Sequence, residues 1–261
     1  MRFAAFVLTA AAGALAAPEG PPQPIFSCGA PRPDAAHLKQ TQKLADEEAA
    51  FAASGNITTR QVITVDTYFH VVATGNALIG GLLSIGPDAS PYHLNTLNQD
   101  FLPHGIQFAN KGIDYTINPT WANGGNEAAM KTALRKGTYQ TLNIYFLRQL
   151  EDRSLGACYL PLSGVTPSDE IYTLDGCTIK FTTVPGGSET GYNLGHTTAH
   201  EVGHWMGLYH TFENGCYLGG DMVSYTPYEA FQASGCQIGR DTCPQQPGTD
   251  PVTNYMDYSL E

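Results

Sequence analysis

The amino-acid sequence predicts a single α/β (α+β) domain, in which helices pack against a sheet. Between residues 62 and 184, runs of β-branched and aromatic residues alternate with segments whose apolar spacing is helical. A histidine-bearing helix is predicted next, from about residue 194 to residue 208. The segment after it is rich in Gly, Pro and Cys and has no clear periodicity. We therefore expect a cleft between an upper sheet and irregular lower loops.

The individual elements follow from local composition and from residues that start or end helices. A proline-rich stretch over 18–33 precedes a polar, alanine-rich helix for which Asp34 is a suitable N-cap. Pro91 suits the first turn of a helix that Gly105 closes, and Gly137 ends another. In chain order, the predicted elements are helix 34–53, strand 62–72, helix 90–101, strand 106–118, helix 126–136, strand 142–147, a short extended piece over 156–160 and strand 176–184.

Five residues of the histidine-bearing helix and the turn after it have the spacing of a metal site. His200 and His204 are four residues apart, so on a helix they share one face and can hold one zinc ion through their ring nitrogens. Glu201 stands next to the first of them and can reach a metal-bound water. Gly207 allows the chain to turn and bring back His210 as a third ligand. Because three histidines leave one position open, the sequence predicts one catalytic zinc ion per chain.

The same histidines have simpler interpretations. Two histidines four residues apart also occur on ordinary amphipathic helices, but Gly207 and His210 at the fixed spacing argue against that interpretation. His196 lies four residues before His200 and forms a competing pair. Because the glutamate, glycine and third histidine do not follow His196 at this spacing, we interpret it as a residue that supports the site or lies at the surface.

Charge and the N-terminal residues predict a secreted, extracellular protein. The formal net charge of -11 argues against nucleic acid and membrane surfaces as partners. Arg2 precedes a short apolar run, and Ala14-Leu15-Ala16 fits a signal-peptide cleavage site. The run is too short to span a membrane, which takes about 20 residues. We expect a signal peptide over 1–17, an N-terminal extension or propeptide over 18–60, and a catalytic domain over 61–261.

Export makes disulfides expected, because they persist in oxidising compartments. Sequence alone leaves the pairing of the six cysteines open. These cysteines are Cys28, Cys158, Cys177, Cys216, Cys236 and Cys243. In an exported protein the sequon Asn56-Ile57-Thr58 can carry an N-linked glycan, so Asn56 is either a glycan site or the first residue of an unused sequon.

The histidine segment and a second motif near the C-terminus resemble a known family. The segment His200–His210 and the motif Asn254-Tyr255-Met256-Asp257-Tyr258 are similar to those of metzincin zinc proteases, and within them to the pappalysin branch, peptidase family M43. The chain looks like the small secreted metalloproteases of fungi over nearly its whole exported length. The resemblance implies a twisted, mostly parallel sheet with the zinc helix above an irregular, disulfide-stapled lower subdomain. It also implies that Met256 lies in a turn beneath the histidines and that Tyr258 reaches the zinc or its bound substrate.

The resemblance also implies disulfide pairs. Cys216 is expected to pair with Cys243 and staple the lower loops. Cys158 is expected to pair with Cys177 and tie two neighbouring extended segments. In similar proteins the partner of Cys236 follows the Asn-Tyr-Met-Asp-Tyr motif, and this sequence ends before that position. We therefore expect Cys236 to lack that partner.

Cys28 has two interpretations. A thiolate from a propeptide can occupy the open zinc position and keep a protease inactive, because thiolates are good zinc ligands. Alternatively, Cys28 tethers the extension through a disulfide, for instance to Cys236. The sequence leaves both interpretations open.

Two departures from the family pattern affect what we expect. Relatives continue past Met256 into a C-terminal helix that this sequence lacks, so we expect a C-terminally short and less stable domain. Relatives also carry an aspartate in a calcium-associated loop where Tyr225-Thr226-Pro227 stands here. Tyrosine is a poor ligand for calcium, which prefers carboxylate and carbonyl oxygens. We therefore expect calcium binding at this loop to be weakened or absent.

These residues predict a secreted zinc metalloendopeptidase that acts as a monomer on protein or peptide substrates. Glu201 would serve as general base toward a zinc-activated water, and Tyr258 would hydrogen-bond the oxyanion. The peptide would lie along an exposed strand edge near 156–160. The alternative is a secreted zinc-binding homologue of weak or no activity that binds a partner, or a truncated gene product. The short C-terminus motivates that alternative.

Overall fold

A computed structural model describes residues 28–54, 62–75, 89–217 and 219–261. The predicted signal peptide over 1–17 and the sequon at Asn56 lie outside these residues. So do the parts of the predicted extension that precede residue 28 and follow residue 54.

Helices and strands alternate along the described chain. The strands are β1 (Ile63–Ala73), β2 (Ile106–Ile117), β3 (Leu142–Leu147), β4 (Gly156–Cys158) and β5 (Cys177–Lys180). The helices are α1 (Ala35–Ala53), α2 (Ala89–Phe101), α3 (Pro119–Ala122), α4 (Glu127–Leu134), α5 (Glu170–Leu174) and α6 (His196–Trp205). None of the described helices combines the length and the apolar composition that a membrane span requires.

The five strands form one sheet in the order β2-β1-β3-β5-β4. β1 pairs parallel with β2 and β3, and β3 pairs parallel with β5. β4 pairs antiparallel with β5 and forms an outer edge of the sheet. This mostly parallel sheet with helices confirms the predicted α/β (α+β) fold.

Both faces of the sheet are covered, and all six residues of the central strand β3 are buried for that reason. On one face, α2 and α6 pack over a core that includes Phe69, Ile144 and Val202. On the other face, α3 and α4 pack over a core that includes Met130 and Tyr145. The histidine-bearing helix α6 is therefore held firmly against the sheet.

Several element boundaries differ from the sequence predictions. β5 ends at Lys180 and not at residue 184, because a 3₁₀ turn over Phe181–Thr183 follows it. α6 is shorter than predicted, since Gly195 before it has a φ of 99° and Gly207 after it has a φ of 95°. These left-handed conformations favour glycine and interrupt a helix. α3 and α5 escaped prediction because helices of four and five residues carry too little periodicity.

The N-terminal extension lies against the edge strand β4 and the loop that follows it. Cys28 forms a parallel bridge with Gly156 of β4, and the backbone N–H of Gly29 donates to the carbonyl oxygen of Gly156 at 2.8 Å. Further along, the side chain of Gln40 in α1 accepts from the backbone N–H of Ser163 at 2.7 Å. The described extension is therefore held at the outer edge of β4 and again along α1, where Oγ1 of Thr41 also hydrogen-bonds the hydroxyl of Tyr209 at 2.8 Å.

Candidate metal centre

Three histidine side chains converge at the end of α6. Nε2 of His204 lies 3.2 Å from Nε2 of His200 and 3.1 Å from Nε2 of His210. The helix places the first two rings one turn apart, and the left-handed turn at Gly207 brings back the third. Nitrogen ligands that lie about 2 Å from a tetrahedral zinc ion are about 3.3 Å from each other. Both distances therefore match the spacing between two ligands of one such ion.

Hydrogen bonds at the other ring nitrogens orient two of these histidines. Nδ1 of His200 donates to the carbonyl oxygen of Tyr255 at 2.6 Å, and Nδ1 of His204 donates to that of Leu208 at 2.8 Å. A carbonyl oxygen only accepts, so the proton stays on Nδ1 and Nε2 carries the lone pair that a metal needs. Burial lowers the pKa of His204 to about 3, and burial and the neighbouring histidines lower the pKa of His200 well below its usual value. Both rings are therefore neutral.

Glu201 lies beside these rings and away from water. The residue is 0% exposed, and burial raises the pKa of its carboxyl group to about 8. Its Oε2 accepts from Sγ of Cys28 at 3.5 Å, and its Oε1 has no hydrogen-bond partner within the described chain. A Cβ on Gly156 would lie 2.5 Å from Cγ of Glu201. The absence of a side chain at position 156 therefore makes room for this carboxyl group.

Cys28 contributes a fourth candidate ligand. The ligand atoms of Cys28, His200, His204 and His210 all lie within 4.8 Å of one another. Burial, and then the nearby Glu201, raise the pKa of the Cys28 thiol well above its usual value. Neither Cys28 nor Cys236 is in a disulfide, and Cys236 is exposed. The tethering disulfide considered from the sequence is therefore not formed in this structure.

The motif Asn254-Tyr255-Met256-Asp257-Tyr258 packs against the cluster of three histidines and against the helix α6 that carries two of them. The ring centroid of Tyr258 lies 5.1 Å from that of His210, and its hydroxyl accepts from the backbone N–H of Cys28 at 3.4 Å. Burial raises the pKa of this phenol, so it stays protonated. Met256 is buried, and its Sδ occupies the space that a Cβ on Gly203 would need. The methionine thus packs directly against the helix that carries the histidines.

Two disulfides tie the segments around the centre. One joins Cys158 of β4 to Cys177 of β5, at directly paired positions of the sheet. The other joins Cys216 to Cys243 across 27 residues of the lower loops. Such cross-links restrict the unfolded chain and stabilise a segment that has little regular structure.

Comparison with known proteins identifies the family. The family model described as pregnancy-associated plasma protein-A, peptidase family M43, matches residues 132–260. An extracellular metalloprotease of Neurospora crassa is 51% identical to this chain, over 100% of the chain and 90% of its own length. The chain belongs to the M43 metalloproteases. An extracellular metalloprotease of Sordaria macrospora is 49% identical, over 100% of this chain and 90% of its own length. One of Pyricularia oryzae is 52% identical, over 90% of this chain and 81% of its own length. These matches confirm the family predicted from the two motifs.

A solved structure, metalloproteinase-II from Bacteroides fragilis, resembles this M43 metalloprotease only loosely. It aligns with a TM-score of 0.36 and 12% sequence identity, over 66% of this chain and 60% of that chain. A likeness of this size does not establish a common fold.

Asp100, at the end of α2, supports the metal centre of this M43 metalloprotease and was missed by sequence reasoning. Its Oδ1 accepts from the hydroxyl of Tyr255 at 3.0 Å, and its Oδ2 accepts from Nδ1 of His196 at 2.9 Å. The rings of His196 and Tyr255 also stack, with centroids 4.8 Å apart. Because the carbonyl oxygen of Tyr255 holds the His200 ring, Asp100 and His196 position the loop that orients the first ligand.

Asp100→Asn is expected to change how stability depends on pH. The hydrogen bond from His196 to Asp100 raises the pKa of His196 above its usual 6.5. A raised histidine pKa adds stability that is fully present below the unfolded pKa and is lost as pH rises through the folded pKa. The variant lacks most of this contribution, which is about 1 kcal/mol or less for a pair that is only partly shielded from water, with 24% of the His196 side chain exposed. Denaturant unfolding at pH 5.5 and pH 8.5 measures it, and an equal pH dependence in both proteins would contradict the role.

The loop for which reduced calcium binding is predicted contains an exposed tyrosine and a buried carboxylate. Tyr225 is 82% exposed, whereas Asp221 is buried and its Oδ1 accepts from the backbone N–H of Val223 at 3.0 Å. Weakened or absent calcium binding at this loop stays a prediction, as does the monomeric state.

Proposed function

We propose that this M43 metalloprotease is a zinc-dependent endopeptidase that acts outside the cell on protein substrates. The convergence of three imidazole nitrogens next to a buried carboxyl group supports this function. A nitrogen and sulfur donor set suits zinc, whereas magnesium and calcium prefer oxygen ligands. The printed names of the relatives, extracellular metalloproteases, support the location. No observation favours an inactive binding protein as the alternative.

Residues of the chain itself carry out the proton transfers. A zinc ion held by the three histidines supplies Lewis-acid chemistry toward water and the scissile carbonyl. Glu201 takes the proton of the attacking water as general base and delivers a proton to the leaving amine. Its Oε1, which has no partner among the described residues, is available for this transfer. Tyr258 keeps its phenol proton and donates to the oxyanion, which lowers the barrier by on the order of 3 kcal/mol.

The free edge of β4 is where we place the substrate. A peptide that adds to a sheet edge is held by main-chain hydrogen bonds, which tolerate many side chains. The extension already makes such a bond, from the N–H of Gly29 to the carbonyl oxygen of Gly156 at 2.8 Å. Because Gly156 borders Glu201, a peptide on this edge passes next to the general base.

The extension also supports a latent form of the enzyme. Sγ of Cys28 lies within 4.8 Å of the ligand nitrogens of the three histidines, so it would complete the coordination of an ion held there, and Gly29 after it pairs with the edge strand β4. A thiolate at that position and a peptide on that edge together exclude water and substrate. We therefore assign residues 1–17 to a signal peptide, 18–60 to a propeptide and 61–261 to the catalytic domain.

Metal removal tests the proposed function directly. Casein hydrolysis by the secreted enzyme is expected to fall nearly to background with a zinc-selective chelator. One equivalent of zinc per chain should restore it, whereas magnesium and calcium should not. Metal analysis of the same samples provides the control. Full hydrolysis by a sample that contains no metal would contradict the assignment.

A further inference from the structure

The ring of His210 is held less directly than the rings of the other two histidines. Carbonyl oxygens accept hydrogen bonds from Nδ1 of His200 and from Nδ1 of His204. Nδ1 of His210 has no hydrogen-bond partner within the described chain, and Oε2 of Glu213 lies 3.8 Å from it, beyond hydrogen-bond distance. The position of the third ligand nitrogen therefore depends on how the backbone next to it is held.

Thr211, the residue after His210, is held through both its backbone and its side chain. Its backbone N–H donates to the carbonyl oxygen of Met256 at 3.2 Å, and its hydroxyl donates to Oε2 of Glu229 at 2.7 Å. Thr211 is 1% exposed and Glu229 is 0% exposed, so water does not compete for this hydrogen bond. Two segments that are distant in sequence therefore fix the backbone that carries His210.

Glu229 is held in turn by an arginine that two carboxylates share. Nη1 of Arg240 forms ion pairs with Oε1 of Glu229 and, at 3.1 Å, with Oδ2 of Asp250. Nη2 of Arg240 donates to the carbonyl oxygens of Phe231 and Gln232, at 2.8 and 3.2 Å. Both carboxylates are buried. The guanidinium group therefore fixes the orientation of the Glu229 carboxylate and leaves Oε2 for the threonine hydroxyl.

This cluster of charges lies where regular structure is missing. After α6 the described chain contains no further helix or strand, so no regular ladder of backbone hydrogen bonds holds the third ligand. A buried ion pair is weak evidence of stabilisation, because the cost of removing charges from water can exceed their attraction. The segment that carries Glu229 also reaches the turn beneath the histidines, where the N–H of Ala233 donates to Oδ1 of Asp257 at 3.0 Å. The location of the cluster therefore points to a role in geometry.

We propose that Glu229 and Arg240 are positioning residues for the third zinc ligand, a proposal that rests on the proposed endopeptidase function. They act through the hydroxyl of Thr211, which keeps Nε2 of His210 close to Nε2 of His204, at 3.1 Å. Loss of this hydroxyl releases the backbone next to the ring and weakens zinc binding. The helix that carries the other two ligands is unaffected.

Thr211→Val tests the connection, because valine has nearly the shape of threonine but lacks the hydroxyl. We expect the dissociation constant of zinc from the full-length chain to rise by roughly tenfold, the lower end of the range for residues that orient metal ligands. Competition with a chromophoric chelator measures this constant, and the visible spectrum of the cobalt(II)-substituted protein reports the ligand geometry. Thr211→Ser keeps the hydroxyl and should retain the wild-type constant and spectrum. Glu229→Gln should weaken zinc binding as well, because its amide group no longer pairs with Arg240.

Thr67→Val is the matched control for a loss of stability. Thr67 is 0% exposed in β1, away from the centre, and its hydroxyl donates to the carbonyl oxygen of Val65 at 3.2 Å. This variant should bind zinc as tightly as the wild type. Denaturant unfolding of all the variants without metal measures their stability separately.

The outcomes separate the failure of this role from the failure of the proposed function. Wild-type zinc affinity in both Thr211→Val and Glu229→Gln would overturn the positioning role and leave the endopeptidase function intact. Equal weakening in Thr211→Ser or in Thr67→Val would overturn it as well, because the hydroxyl of Thr211 would then not be the cause. A wild-type chain that binds no zinc would contradict both proposals.

Discussion

Glu201→Gln is expected to lower kcat for peptide hydrolysis by about 10⁴-fold while the protein still binds one zinc ion. Glutamine keeps the size of the side chain and one oxygen, but an amide does not accept the proton of the attacking water. None of the three histidines is altered, so the metal site keeps its ligands. Steady-state hydrolysis of a fluorogenic peptide and metal analysis of the same preparation measure the two effects.

Two controls make this result specific to proton transfer. Glu170→Gln changes an exposed carboxylate and should keep full activity. In the metal-free protein, burial holds the pKa of Glu201 at about 8, above the usual 4.5. An ionised carboxylate in that position costs stability as pH rises from 4.5 towards 8, so Glu201→Gln should unfold no more easily than the wild type at pH 8. Near-normal turnover by Glu201→Gln would remove this residue from the proposed mechanism.

The part of the site that could be predicted is the part that local geometry determines. The helical period places His200 and His204 on one face, and Gly207 turns the chain so that His210 returns to them. Glu201 follows from its place next to the first ligand. The strands could also be predicted, because runs of β-branched and aromatic residues favour strand structure through local composition alone.

The other part of the site depends on contacts between distant segments. Asp100 supports the His200 ring from α2, across 155 residues of sequence to its partner Tyr255. The position of Cys28 beside the three histidines likewise depends on the pairing of the extension with Gly156, a contact between segments far apart in sequence. No residue spacing encodes such contacts, because they arise from sheet order and packing.

Cys28→Ser is expected to activate the full-length chain without removal of the extension. The hydroxyl of serine is a much weaker zinc ligand than a thiolate, so water would enter the fourth position of the centre. Since the extension holds this group close by, its ligation has a high effective concentration, and its loss should raise activity by about 100-fold. Activation should stay incomplete, because Gly29 still pairs with Gly156 and Gln40 still anchors α1. Hydrolysis of a short fluorogenic peptide by uncleaved protein, verified by mass spectrometry, measures the effect.

Cys236→Ser distinguishes a metal ligand from a disulfide tether. Cys236 is the other free cysteine of the described chain, and it is exposed, whereas Sγ of Cys28 faces Glu201 at 3.5 Å. If Cys28 acts as a ligand, Cys236→Ser should stay latent and an alkylating reagent should modify Cys236 faster than Cys28. If a disulfide between the two held the extension, both substitutions would activate the enzyme equally. Full latency of Cys28→Ser would show instead that strand pairing along β4 and the anchor at Gln40 suffice to close the cleft.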